Sequence, residues 1–123
     1  MAFEQAVEGL NPAQRLRWFF SYYAEQGENG QICILGALGS EISSLGAPLA
    51  AATQELSEYM REWLRANLKE GRKKEEFDFD GKAGQVSQLI LASMVGGLQL
   101  QRLAGNDLIG DISQRWLDQL LIR

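Results

Sequence analysis

Residues 47–73 read APLAAATQELSEYMREWLRANLKEGRK, and this stretch decides the fold class. Leu49, Ala52, Leu56, Tyr59, Met60, Trp63 and Leu68 trace one apolar face of a long helix. Pro48 stands at its start, where the fixed φ and missing N–H of proline are tolerated. Lys69, Arg72, Lys73 and Lys74 crowd its end, where cations meet the negative pole of the helix dipole. The following EEFDFDG, residues 75–81, is acidic and aperiodic and reads as a loop.

Downstream, Asp80 is a plausible cap for a helix from about Lys82 to Ala104. Val86, Leu89, Ile90, Met94, Val95, Leu98 and Leu100 make that helix apolar over more than one face, and Ser93, Gly96 and Gly97 add a patch of small residues. Gly105 closes it, and Asn106-Asp107 caps a final helix reaching about Ile122. Leu108, Ile109, Ile112, Trp116, Leu117, Leu120 and Leu121 again exceed a single stripe. Helices this apolar need cover on their outer sides as well. A two-fold homodimer, with two helices from each chain forming a four-helix bundle, supplies it most simply. The residues expected at that interface are Val86, Ile90, Ser93, Gly97, Leu100, Ile109, Ile112, Trp116 and Leu120.

Upstream, a shorter helix is expected from about Cys33 to Leu45, with Gly46 ending it. Glycine weakens a helix by ~1 kcal/mol relative to alanine, so Gly36 and Gly39 point to close packing there. Glu28-Asn29-Gly30 is a loop. Asn11-Pro12 begins the preceding helix, which runs to about Gln26, with Gln14 placed to complete a capping box. Trp18, Phe19, Tyr22 and Tyr23 fall on one side of it. No segment alternates like a strand and no repeat is evident. The expected fold is an all-α bundle of five to six helices.

The chain has 123 residues, is 46% hydrophobic and 23% charged, and carries a net charge of −4. Such a chain buries a core without staples. Its acidity argues against direct attraction to phosphate backbones, so no nucleic-acid contact is expected from this segment. With one cysteine and no histidine, an internal disulfide, histidine-based catalysis and the commonest zinc sites are excluded. No acid–base pair suggests an enzyme, and neither cofactor nor metal is expected. Ser40, Ser43 and Ser44 lack a base partner in the sequence. Asp78 and Asp80 begin like a calcium loop, but Gly81 breaks the pattern. No stretch is a signal peptide or membrane span, and a reducing cytoplasm is the expected setting.

The segment Cys33-Ile-Leu-Gly-Ala-Leu-Gly-Ser-Glu41 resembles the G-C-x-L-G-x-L-x-x-E segment of a subgroup of TetR-family transcriptional regulators. NPAQRLRWFFSYYAEQ, residues 11–26, is similar to the subgroup's P-x-x-R-L-x-x-F-x-x-Y helix. MVGGLQLQRLAGND, residues 94–107, resembles its E-G-A-L-L-L-A-R segment, the first of two dimer helices. Ile32 and Val95 depart from the pattern, standing where glycine and an acidic residue are frequent. The resemblance implies one effector-binding and dimerisation domain over residues 1–123, with Met1–Glu8 as the tail of a helix linking it to an absent helix-turn-helix domain. It implies a homodimer, most simply of a repressor, that meets DNA only through that absent domain and responds to a small-molecule effector.

By that resemblance, an effector pocket would lie between the first three helices and the fourth. Trp18, Tyr22, Cys33, Leu38, Met60, Trp63, Leu91 and Met94 are the candidate walls, suited to a mostly apolar or electrophilic ligand. Each is also an ordinary core residue by type. Cys33 is either a thiol sensor or a small buried hydrophobe. Glu41 meets a cationic ligand or, more simply, pairs with Arg15 or Arg17. The Arg72-Lys73-Lys74 run reads as a solvated helix end. The rival to the sensing domain is a small helical homodimeric interaction protein without a ligand.

Overall fold

The computed structural model describes residues 3–29, 34–39 and 41–122. The elements are α1 (Phe3–Ala6), α2 (Pro12–Glu28), α3 (Ile34–Gly39), a 3₁₀ turn (Ile42–Ser44), α4 (Ala47–Lys73), α5 (Ala83–Ala104) and α6 (Leu108–Leu120). The all-α expectation holds, and so do most helix ends. α2 starts with a complete capping box: Asn11 Oδ1 accepts from the Gln14 N–H at 2.9 Å, and Gln14 Oε1 accepts from the Asn11 N–H at 3.0 Å. Gly105, at φ +71°, ends α5 in the left-handed conformation that favours glycine. Asp107 Oδ1 accepts from the Gly110 N–H at 3.0 Å and caps α6.

Three local expectations give way. The helix at 33–45 is replaced by the six-residue α3 and a separate 3₁₀ turn. Gly36 does sit close to a neighbour, since a Cβ there would lie 3.3 Å from Val95 Cγ1; Gly39 faces open space. Asp80 does not cap α5. Lys82 holds the N-cap position, and Gln85 Oε1 reaches back to its N–H at 3.5 Å. Arg15 pairs with Glu70 at 2.5 Å, while Glu41 is exposed and accepts from Ser44 Oγ at 3.3 Å.

The core is shared by α2, α4, α5 and α6. Leu16, Phe19, Tyr23, Leu64, Leu68, Ile90, Met94, Leu98 and Ile109 are wholly buried. Helices 4 and 5 make the most extensive contact, and Ser87 Oγ donates to the Arg61 carbonyl at 3.1 Å across it. Asn67 is buried and donates from Nδ2 to the Pro12 carbonyl at 3.0 Å, so the polar group finds a partner where α2 begins.

The acidic segment after α4 is far more than a loop. Glu75 takes φ +61°, and the chain turns so that the Glu76 N–H donates to the Gly71 carbonyl at 2.8 Å. Phe77 is then driven inward, 1% exposed, against Gly71, where any Cβ would strike its ring. Phe77 pairs with Leu121 in an isolated antiparallel bridge. The Asp78 N–H donates to the Leu120 carbonyl at 2.8 Å, and the Ile122 N–H to the Glu76 carbonyl at 3.1 Å. Glu76 Oε1 also accepts from the Ala13 N–H at 3.0 Å. One short segment therefore ties the start of α2, the end of α4 and the end of α6 together.

Candidate functional site

Three features frame the site: a seat for the N-terminal helix, a small apolar pocket, and an uncovered helix face. The seat is built on Phe3. Its ring is 3% exposed and meets Trp18 at 5.1 Å, Trp63 at 5.2 Å, Tyr22 at 5.6 Å and Tyr59 at 5.6 Å between centroids, all edge to face. Edge-to-face pairs of this kind add to burial. The backbone is held as well. Tyr59 Oη accepts from the Phe3 N–H at 2.8 Å and donates to Glu4 Oε2 at 2.5 Å. That bond lowers the Glu4 carboxyl below the ordinary glutamate range, while partial burial, followed by the Glu4 contact, raises the Tyr59 phenol.

The expected pocket residues thus separate. Trp18, Tyr22 and Trp63 come together, but around Phe3, which occupies the space between them. Met60, Leu91 and Met94 are buried in the general core. Leu38 lines a small apolar pocket, about 190 Å³, with Leu49, Ala52, Thr53 and Leu56, and Trp63 lines a larger open hollow of about 630 Å³ with Tyr59 and Ala66, rimmed by Glu4, Glu55, Glu58 and Glu62. Cys33 lies outside the described residues. Phe3 and Tyr59 were absent from the candidate walls. A four-residue helix with one buried side chain is too short for periodicity to register, so the sequence carries no signal for the placement of Phe3. Leu49, Ala52 and Leu56 were legible as the apolar face of α4, without any sign that they front a cavity.

The expected dimer residues also separate. Val86, Ile90, Gly97, Ile109 and Leu120 face inward and are buried by the chain's own fold. A Cβ at Gly97 would meet Ile112 Cδ1 at 2.5 Å, so that glycine serves the α5–α6 contact within the chain. Ser93, Ile112 and Trp116 are half-buried; Trp116 Nε1 donates to Ser93 Oγ at 2.9 Å and links α5 to α6. Leu100 is exposed. It lies on an outward stripe with Leu89, Ala92, Gly96 and Leu103. At 100° per residue, Leu89, Gly96, Leu100 and Leu103 fall within a narrow sector of the helix. Leu89, Leu100 and Leu103 are 60%, 56% and 85% exposed. The uncovered face is therefore on α5, and the outer side of α6 is polar, with Asp111, Gln114, Arg115, Asp118 and Gln119 exposed.

Residues 12–115 match the family described as tetracyclin repressor-like, C-terminal domain. The chain belongs to that family. Among solved structures, it is similar to a TetR-family transcriptional regulator from Agrobacterium tumefaciens, with a TM-score of 0.86 and 21% identity over 98% of this chain and 64% of that one. It is also similar to the reduced form of Escherichia coli NemR, with a TM-score of 0.77 and 21% identity over 96% of this chain and 62% of that one. A TetR transcriptional regulator from Legionella pneumophila gives a TM-score of 0.75 and 20% identity over 90% and 58%. The chain thus spans about three fifths of the length of those structures. No curated protein matches it. Among the described residues, no helix is long and apolar enough to cross a membrane.

Proposed function

We propose that this tetracyclin repressor-like domain is the effector-sensing and dimerising part of a cytoplasmic, non-enzymatic TetR-family repressor, whose DNA contacts come from a helix-turn-helix domain preceding Phe3. The observation that carries the reading is the arrangement along α4. Leu49, Ala52, Thr53 and Leu56 line the apolar pocket, and Tyr59 and Trp63, about one and two turns on, grip α1. An apolar or electrophilic effector that alters the packing of this stretch of α4 shifts the seat of Phe3. Whatever is joined to α1 moves with it. Coupling between two such sites is typically worth ~1–3 kcal/mol.

Dimerisation is supported by the α5 stripe. Three leucines more than half exposed on one face of one helix leave an apolar surface that a second copy covers. The test is a thermal-shift and calorimetric screen of the chain against apolar and electrophilic small molecules, followed by the same ligands on Leu56→Trp, which fills the pocket. Saturable binding lost in Leu56→Trp supports sensing; no binding across the panel overturns it.

A second reading is favoured by the size of the pocket. Ligand pockets usually span about 300–1,000 Å³, and this one is smaller. A ligand-free homodimeric interaction module accounts for the α5 stripe equally well, and it predicts silence in the screen with dimerisation intact.

A further inference from the structure

The chain is acidic overall, but α4 carries basic residues that Glu58 and Glu62 border, pairing with Arg61 and Arg65. Arg61, Arg65, Lys69 and Arg72, spaced by four, four and three residues, fall within about 80° of one another around the helix and form a stripe. This stripe is one wall of a groove of about 670 Å³; the opposite wall is Lys82 and the first turn of α5, including Gly84. Among the described residues, no carboxylate lines the groove.

The walls are fixed in place. A Cβ at Gly84 would lie 3.5 Å from Arg65 Cδ, so α5 rests directly on the arginine stem. Arg65 donates to Glu62 from Nε at 2.8 Å and from Nη2 at 2.5 Å, which leaves Nη1 uncommitted on a held guanidinium. Arg61 is gripped by Glu58 in the same two-pronged way. Arg72 stacks over the Phe79 ring at 3.5 Å and donates to the Gly81 carbonyl at 2.8 Å. Neither Lys69 nor Lys82 makes an ion pair among the described residues. Counting Glu58 and Glu62 against Arg61 and Arg65 leaves three uncompensated positive charges, from Lys69, Arg72 and Lys82, around one concavity. The positive pole of the 22-residue α5 points into the same place.

We propose that this groove binds a small, multiply charged phosphoryl anion, at a site separate from the apolar pocket. The guanidinium N–H groups left over from the glutamate pairs, two flexible ammonium groups and a helix N-terminus present divergent donors that match tetrahedral phosphoryl oxygens better than planar carboxylates. A concavity bounded by two packed helices admits a phosphoryl group and excludes a rigid duplex. The groove lies along the second half of α4, whereas the apolar pocket lies along the first, so the two sites share no lining residue.

The test is calorimetric titration of the chain with inorganic pyrophosphate at low and physiological salt. Citrate and a short DNA duplex serve as competing probes, and Lys69→Gln/Lys82→Gln and Arg17→Gln as variants. One saturable site is expected, weakening with salt, with affinity lowered by about tenfold or more in the double lysine variant and unchanged in Arg17→Gln. Both lysines are solvated and unpaired, so the double variant should melt like the parent in the absence of pyrophosphate. No saturable heat overturns the proposal, as does an equal loss in Arg17→Gln. Tighter binding of citrate overturns the phosphoryl assignment, and tighter binding of the duplex overturns the small-molecule one.

Discussion

The two faces of α5 are nearly equal in apolar character and opposite in situation. Ile90, Met94 and Leu98 are wholly buried against α2, α4 and α6, whereas Leu89, Leu100 and Leu103 stand in the open. Hydropathy cannot tell them apart, because leucine contributes the same transfer free energy on either side. What separates them is the small residues. Gly97 lies on the inner side and admits Ile112; Gly96, its neighbour, has nothing within 4 Å of where a Cβ would stand. An all-round apolar helix is thus two surfaces, one of which already has its partner in the chain.

The largest effect that tests this division is expected from Leu98→Ala, which should lower stability by about 3 kcal/mol in urea unfolding because it leaves a cavity in a closed core. Leu103→Ala should change monomer stability by less than about 0.5 kcal/mol; a comparable loss would erase the distinction. Next, Leu100→Asp with Leu103→Asp should weaken self-association by about 100-fold or more by sedimentation, since two charges would be desolvated in the contact. The fold, followed by far-ultraviolet circular dichroism, should persist.

A finer comparison uses the paired glycines. Gly97→Ala should cost about 1–3 kcal/mol by overpacking Ile112. Gly96→Ala should raise stability of the isolated chain by up to about 1 kcal/mol through helix propensity. Trp116→Phe comes next, losing about 1 kcal/mol with the Nε1–Ser93 bond. Smallest is an acid titration that leaves α5 untouched. Glu4 is lowered by Tyr59, and Glu70 by Lys74 and then Arg15. Groups whose folded pKa is depressed stabilise at pH above the ordinary glutamate range and lose that contribution as pH falls through the folded value. A modest drop in Tm confined to acid pH should follow, with loss of α1 protection in hydrogen exchange before that of α5. Loss of α5 protection first would contradict the division.

Much of the architecture was legible in the sequence because it rests on local chemistry. Asn11, Pro12, Gln14, Pro48, Gly105 and Asp107 act within one turn of themselves, and each helix end they imply is present, as is the whole of α4. The misplaced parts depend on long-range partners. Which side of α5 faces inward is decided by α2 and α6, so Val86, Ile90 and Gly97 could not be assigned from spacing alone. Trp18, Tyr22 and Trp63 were expected as walls of an effector pocket, and what they surround is Phe3, in a different helix. Arg15 found Glu70, fifty-five positions away, in preference to Glu41. Residues 75–81 looked like a loop because much of their order comes from residues far away in the chain, at 13 and 120–122.

That last arrangement bears on how the domain is made. The backbone at Glu76 to Asp78 finds its partners at Leu120 and Ile122 only after all of α5 and α6 has been synthesised. At about 5–20 residues per second, the wait is a few seconds. Until then Phe77 has Gly71 to rest on, but its strand edge is unpaired. The nascent chain therefore carries one adhesive edge while α5 and α6 are made and closes it with residues 120–122.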